Sequence, residues 1–157
     1  MPADSQKLTP AFVIRPFPPE KASILTEIGK EAGTAAAWTN NDYHQLSADP
    51  TILAFVSEWN GSITGFIVAR QVADQAEVLN LAVRKTLRRQ GHGSALLKTV
   101  LNKLRNQGAR RVFLEVRHSN RQAVAFYAKQ GFQKSGIRKA YYQNPDEDAL
   151  CMEMKLT

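Results

Sequence analysis

The sequence predicts a mixed α/β fold, in the α+β sense: one central mixed sheet, mostly antiparallel, with helices on both faces. Three observations predict it. Residues 51–71, "TILAFVSEWNGSITGFIVARQ", hold two β-rich runs around Asn60-Gly61, the preferred pair for a two-residue type I′ hairpin. Leu97, Val100, Leu101 and Leu104 recur at i, i+3, i+4 and i+7, which gives one apolar helical face. That helix lies between two strand-like runs, 76–83 and 110–116, so a parallel βαβ unit joins an otherwise antiparallel meander.

The elements follow in order. "AFVIRPF" (11–17) reads as a short strand ended by prolines. "PPEKASILTEIGKEAG" (18–33) reads as a helix: Pro18-Pro19 open it, Ile24 and Ile28 share a face, and Gly33 stops it. "WTNNDYHQLSAD" (38–49) predicts a shorter helix capped by Asn40 or Asn41. The hairpin and the strand "AEVLNLAV" (76–83) come next, then the long helix, stopped at Gly108. "RRVFLEV" (110–116) is a strand, and "SNRQAVAFYAKQG" (119–131) a helix capped by Ser119 or Asn120 and ended by Gly131. "FQKSGIRKAYY" and "DALCMEMKL" form a closing pair of strands. The expected order is β-α-α-β-β-β-α-β-α-β-β, in one domain spanning residues 1–157.

Bulk properties narrow the function classes. At 157 residues, 43% apolar and 22% charged, the chain is long enough to bury a core. No window reaches the roughly 20 apolar residues that cross a bilayer, so no membrane is expected as a partner. "MPADSQKLTP" lacks the apolar core of a secretion signal. The single cysteine, Cys151, has no partner for a disulfide. It is expected to be buried in the last strand. His44 and His118 lack ligand-spaced partners, so no metal is expected. These features point to a cytoplasmic protein. The net charge of +7 points to an anionic partner: nucleic acid, ribosome or a phosphorylated cofactor.

The segment "RRQGHGSA" (88–95) places two cations and two glycines where a strand gives way to a helix. Glycine permits tight turning and close approach of a ligand. The first amides of a helix have no intrahelical partner, and with the positive end of the helix dipole they hold phosphate. Arginine adds a forked cationic donor. The spacing is not that of a Walker A loop, and the third glycine of a dinucleotide fingerprint is missing. A glycine-bearing helix start with solvated arginines is the plain alternative.

Arg88-x-x-Gly91-x-Gly93 resembles the Q/R-x-x-G-x-G/A motif of the GNAT N-acetyltransferases. The resemblance extends through "LNLAV" before it and "LEVRHSNRQAVAFYAKQGF" after it, and covers about residues 52–154. Within that superfamily, "IRKAYYQNPDEDALCMEM" is similar to the bacterial ribosomal-protein-alanine N-acetyltransferases. The resemblance implies acetyl-CoA as donor and a protein N-terminal amine as acceptor, possessed by a ribosomal protein with N-terminal alanine. It implies that the backbone of Leu81, Ala82 and Val83 pairs with the pantetheine arm. Arg88, Arg89, Gln90, Gly91, His92, Gly93 and Ser94 would wrap the pyrophosphate, His92 through its amide with an exposed side chain. Asn120 would contact the cofactor as well as cap its helix.

The same resemblance gives Glu115 the role of general base, often through water, and Tyr127 that of the acid that protonates the leaving thiolate. Glu115 is a lone acid in an apolar strand, which needs a wet cleft or a partner. On an edge strand it could equally face solvent. Tyr127 lies seven residues, two helical turns, after Asn120, and an ordinary phenol stays protonated at neutral pH. It could equally be a core aromatic beside Phe126 and Phe132. A backbone N–H of Leu81–Val83 would meet the oxyanion. On the acceptor side the resemblance suggests Trp38, Arg138, Tyr141 and Tyr142, any of whose rings could instead be packing. Asp148 reads as a turn acid and Trp59 as structural.

Two departures stand out. Arg84-Lys85 replaces the usual acidic-proline pair, so this loop is expected to meet the cofactor's 3′-phosphate or an acidic partner. Gln143 stands where proline is usual. Two further readings share the sequence: acetyl transfer to a small amine, polyamine or lysine, and a basic RNA- or ribosome-binding domain. The second lacks a stripe of aromatics beside the cations, so direct nucleic-acid readout is not expected.

Overall fold

The computed structural model describes residues 12–33 and 38–157. Seven strands form one sheet: β1 (Val13–Pro16), β2 (Ile52–Trp59), β3 (Ser62–Val72), β4 (Gln75–Val83), β5 (Arg111–Arg117), β6 (Gln133–Tyr142) and β7 (Glu147–Lys155). The helices are α1 (Ala22–Ala32), α2 (Asn40–Gln45), α3 (His92–Asn106) and α4 (Arg121–Lys129). The sheet order is β1-β2-β3-β4-β5-β7-β6, with every pair antiparallel except β4–β5. The expected element order is therefore present, with helices on both faces of the sheet.

Turn chemistry places the connections. Asn60 (φ 52°) and Gly61 (φ 78°) both take the left-handed conformation that a type I′ turn requires. Gly33 ends α1 at φ 66°, its N–H reaching back to the Gly29 and Lys30 carbonyls. The cap of α2 differs from expectation. Neither Asn40 nor Asn41 caps it; both lie inside the helix. Thr39 does, accepting from the Asp42 N–H while the Asp42 carboxylate accepts from the Thr39 N–H at 2.8 Å. The reciprocal box satisfies two orphan donors, which a lone asparagine cannot do.

Two apolar cores sandwich the sheet. Leu96, Leu97, Val100 and Leu104 of α3 and Tyr127 of α4 pack on one face with Ile67, Val112, Leu114 and Met152. Leu25 and Ile28 of α1 and Tyr43 of α2 cover the other face with Val56, Phe66 and Val68. Leu25, Ile28, Leu97 and Leu104 are 0% exposed, and each such side chain contributes about 1.5–3 kcal/mol of transfer free energy.

The Arg84 half of the Arg84-Lys85 pair is already partnered within the chain. The Arg84 guanidinium bonds Glu27 at 2.8 Å and Glu31 at 3.3 Å, and the Lys85 N–H donates to Glu31 at 2.7 Å. Glu27 and Glu31 stand one turn apart on α1, so both reach one guanidinium. Arg84 fastens α1 to the end of β4 and is not free to meet a phosphate. Cys151 is half-buried, short of the full burial expected.

Two irregularities shape the centre of the sheet. Val68 pairs with Asn80 and Ala69 with Val78, so Leu79 is the extra residue of a bulge in β4. The parallel ladder joins Gln75–Glu77 to Arg111–Phe113 and goes no further. Beyond it β4 and β5 part, and the gap between them opens into a cleft.

Candidate active site

The cleft is about 630 Å³ and is lined by the ends of β4 and β5, the loop before α3, the first turn of α3, and α4. A cleft of this size suits a small-molecule or cofactor ligand. On one side of β4, Leu81, Ala82 and Val83 pair with Ile67, Phe66 and Gly65 of β3. Their other edge has lost β5 and faces the cleft, where an extended ligand can pair with it.

The turn before α3 is bent by two left-handed residues, Arg89 (φ 64°) and Gly91 (φ 88°). Helix α3 starts at His92, and Ala95 is the first to bond back, to the Gly91 carbonyl at 3.0 Å. The amides of Gly91, His92, Gly93 and Ser94 therefore lack intrahelical partners, and all four residues line the cleft with Arg88 and Arg89. Gln90 lies on the exposed outer side of the turn. Arg88 donates to the Ala32 carbonyl at 3.2 Å, which ties the turn to the C-terminal end of α1. At the far wall the Gln130 side chain donates to Ser94 Oγ at 2.6 Å and locks α4 against α3. These orphan amides, at a helix N-terminus flanked by cations, fit a diphosphate.

His92 departs from expectation. Its side chain is 2% exposed, stacked on Phe12 at 4.0 Å, with Nδ1 2.9 Å from Thr64 Oγ1. The helix turns it inward, toward the sheet, because position 92 opens α3 on the core side. Burial holds its imidazole below the usual histidine range.

Glu115, on β5, lines the cleft and is 14% exposed by side chain; its Oε2 accepts from Arg138 Nε at 2.5 Å. Alternation along β5 buries Val112, Leu114 and Val116 on one face and turns Glu115 to the other. Tyr127 lines the cleft from α4, 7% exposed, its ring 5.2 Å from Phe126 and 5.5 Å from Phe132. Tyr127 thus packs in the core, as a core aromatic would, and also borders the cleft. Its hydroxyl takes no hydrogen bond from the described residues. Burial raises its pKa well above the usual phenol value, with Tyr142 adding to the effect. Asn120 caps α4 by accepting from the Ala123 N–H at 3.1 Å and also lines the cleft.

Of the residues expected on the acceptor side, Arg138 also stacks on Tyr141 at 5.2 Å, while Tyr142 carries Arg117 at 4.6 Å. Burial first and the Glu115 carboxylate second push Tyr142 up to about 12, and the same two causes raise Tyr141. A double bulge between Arg138 and Tyr142 aims this group, and Asp148 holds it by accepting from the Ala140 N–H at 2.8 Å. Asp148, read from the sequence as a turn acid, lies instead just inside β7, next to the turn. Trp38 stands apart, packed on Tyr43 at 5.2 Å in the second core.

Glu77 is an acid that sequence reasoning passed over. It is half-buried opposite Phe113, and burial first, then Glu115, raises its pKa. A lone acid in the apolar run "AEVLNLAV" is the same signal that singled out Glu115.

The model of the Acetyltransferase (GNAT) family matches residues 17–132 of this chain. The ribosomal protein bS18-alanine N-acetyltransferase of Escherichia coli is 37% identical over 107 residues, 67% of this chain and 72% of that one. Among solved structures, the ribosomal-protein-S18-alanine N-acetyltransferase from Escherichia coli superposes with a TM-score of 0.84 at 30% identity, covering 93% of this chain and 94% of that one. Ard1 from Thermoplasma volcanium gives a TM-score of 0.85 at 30% identity, covering 94% and 99%.

Proposed function

The chain belongs to the GNAT acetyltransferase family, and on that premise we propose that it transfers an acetyl group from acetyl-CoA to the N-terminal α-amine of a ribosomal protein beginning with alanine. One observation carries the reading: Gly91–Ser94 with their unpaired amides, Glu115 and Tyr127 all line a single cleft. Acetyl-CoA supplies an activated thioester and a diphosphate handle. The chain's residues do the rest.

Gly91–Ser94 and the Arg88–Arg89 turn hold the diphosphate, and the free edge of Leu81–Val83 aligns the arm that follows it. An N–H of that edge faces the acetyl oxygen as a preorganised dipole. Glu115 takes the proton from the attacking amine, directly or through water, once Arg138 has given up Oε2. Arg138 is 60% exposed by side chain and has the Tyr141 ring beside it, so the exchange needs no change in the fold. Tyr127 gives its phenolic proton to the departing sulfur. Its raised pKa keeps that proton in place throughout the neutral range.

The acceptor assignment has a chemical basis besides the similarity. At pH 7.5 roughly a third of an N-terminal α-amine is neutral, against about 0.1% of a lysine. A single carboxylate base therefore suits an α-amine.

The test has two stages. Micromolar acetyl-CoA should raise the melting temperature, as ligand linkage requires. Ribosomal proteins incubated with enzyme and acetyl-CoA should then gain one acetyl group at an N-terminal alanine, and a peptide with a blocked N-terminus should gain none. Equal acetylation of free and blocked peptides would move the acceptor to lysine. No stabilisation by acetyl-CoA would refute the proposal at its first step.

A further inference from the structure

His92 sits at the first position of α3, between two amides of the candidate diphosphate cradle, yet its imidazole points away from the cleft's solvent and into the sheet. The sheet is built to receive it. Ser57 pairs with Gly65 and Glu58 with Ile63, so Thr64 is the extra residue of a bulge in β3. Bulges re-aim side chains, and this one brings Thr64 Oγ1 within 2.9 Å of His92 Nδ1.

Proton accounting fixes the roles. Thr64 has one hydroxyl proton, and the Ser57 carbonyl, which cannot donate, accepts it at 3.2 Å. Thr64 Oγ1 then accepts from Ser57 Oγ at 2.8 Å and from His92 Nδ1. All three contacts are satisfied together when His92 carries its proton on Nδ1. Thr64 is also tied to the other flank of the cleft, because its carbonyl accepts from the Arg84 N–H at 2.9 Å. A buried polar side chain with a defined donor at the exact start of a helix is a rivet between sheet and helix. Phe12 closes it from outside.

We infer that His92 is a positioning residue for diphosphate binding: its Nδ1–H···Thr64 bond fixes the first turn of α3, and with it the orphan amides of the cradle. It touches no reacting atom. Rigid placement of these amides before the ligand arrives lowers the free energy of ordering them on binding. A leucine or isoleucine at position 92 would fill the space without fixing the turn's rotation. This inference rests on reading the turn as the acetyl-CoA site.

The experiment uses the full chain and three variants: Thr64→Val, which keeps the side-chain shape and removes the acceptor; His92→Phe, which keeps the ring on Phe12 and removes the donor; and His92→Asn, whose amide N–H replaces Nδ1–H. Acetyl-CoA and coenzyme A dissociation constants are measured by calorimetry, and KM and kcat by acetyl transfer. Thr64→Val and His92→Phe should each weaken binding of both ligands about fivefold, the usual scale for one buried hydrogen bond. Saturating kcat of Thr64→Val should stay within about twofold. The double variant should be no worse than Thr64→Val alone, since the bond to His92 is already lost there along with the two Ser57 contacts. His92→Asn should restore binding. Wild-type affinity in Thr64→Val and His92→Phe would overturn the inference. So would equal losses in kcat, in coenzyme A affinity and in His92→Asn, which would mark a merely structural role. Failure of the wild-type chain to bind acetyl-CoA would instead refute the proposed function, and this inference with it.

Discussion

Replacing Tyr127 with phenylalanine separates chemistry from packing. The Tyr127 ring lies between Phe126 and Phe132, and phenylalanine keeps both edge-on contacts. The hydroxyl has no hydrogen bond to lose among the described residues, so no partner is orphaned. Stability should therefore change by less than about 1 kcal/mol. For a chain of this size that is a melting-temperature shift within about 2–4 °C. Acetyl-CoA affinity should stay within about threefold. Turnover should behave differently, because a positioned general acid is worth about 10²–10⁴-fold. That is roughly 2.7–5.5 kcal/mol of transition-state stabilisation, at about 1.36 kcal/mol per decade. Acetyl transfer to an N-terminal alanine peptide, followed by mass spectrometry under saturating acetyl-CoA, gives kcat; circular dichroism gives the melt. A kcat within fivefold of wild type would refute the acid role. A fall in kcat matched by a large fall in melting temperature would place Tyr127 in the core alone. The pH profile adds a check. Burial raises the phenol's pKa in the folded chain, so it stays protonated beyond its ordinary value. Any alkaline limb of kcat below about pH 10 must come from another group.

Three other outcomes follow from the same geometry. Glu115→Gln should lower kcat by about 10²-fold or more with acetyl-CoA affinity kept, and retention of full turnover would remove the base. In Gly65→Ala the new Cβ would lie 2.8 Å from the Ala82 carbonyl oxygen, a backbone atom of the cleft wall. The variant should be about 1–3 kcal/mol less stable and bind acetyl-CoA more weakly, and a wild-type melt would refute the close approach. Arg84→Met should lower the melting temperature by a few degrees at low salt, with a smaller difference near 1 M salt. Its acetyl-CoA affinity should be unchanged; a tenfold loss would return Arg84 to a phosphate-binding role.

Much of this molecule is written in local pattern. The Asn60-Gly61 turn, the apolar stripe of α3 and the glycine stops at 33, 108 and 131 all depend on short-range sterics or on helical period. Each is visible within a dozen residues. The candidate diphosphate cradle is partly local: Gly91 marks the left-handed start of α3 and its orphan amides, whereas the left-handed Arg89 beside it carries no such mark. The partners of charged and polar groups are not local. Arg84 finds Glu27 and Glu31 more than fifty residues away. Thr39 displaces Asn40 and Asn41 as cap because Asp42 answers it, a choice that two neighbouring asparagines hide in the sequence.

The sequence by itself determined the element order, the mixed sheet and the glycine turn, because these follow from backbone sterics and from the period of apolar residues. Only the tertiary structure decided that β4 and β5 separate after Glu77, that Glu115 starts out paired with Arg138, and that His92 faces inward to Thr64. Those outcomes depend on strand register and on bulges in β3, β4 and β6. A one-residue slip in register turns every later side chain to the opposite face, and no local pattern records where such a slip occurs.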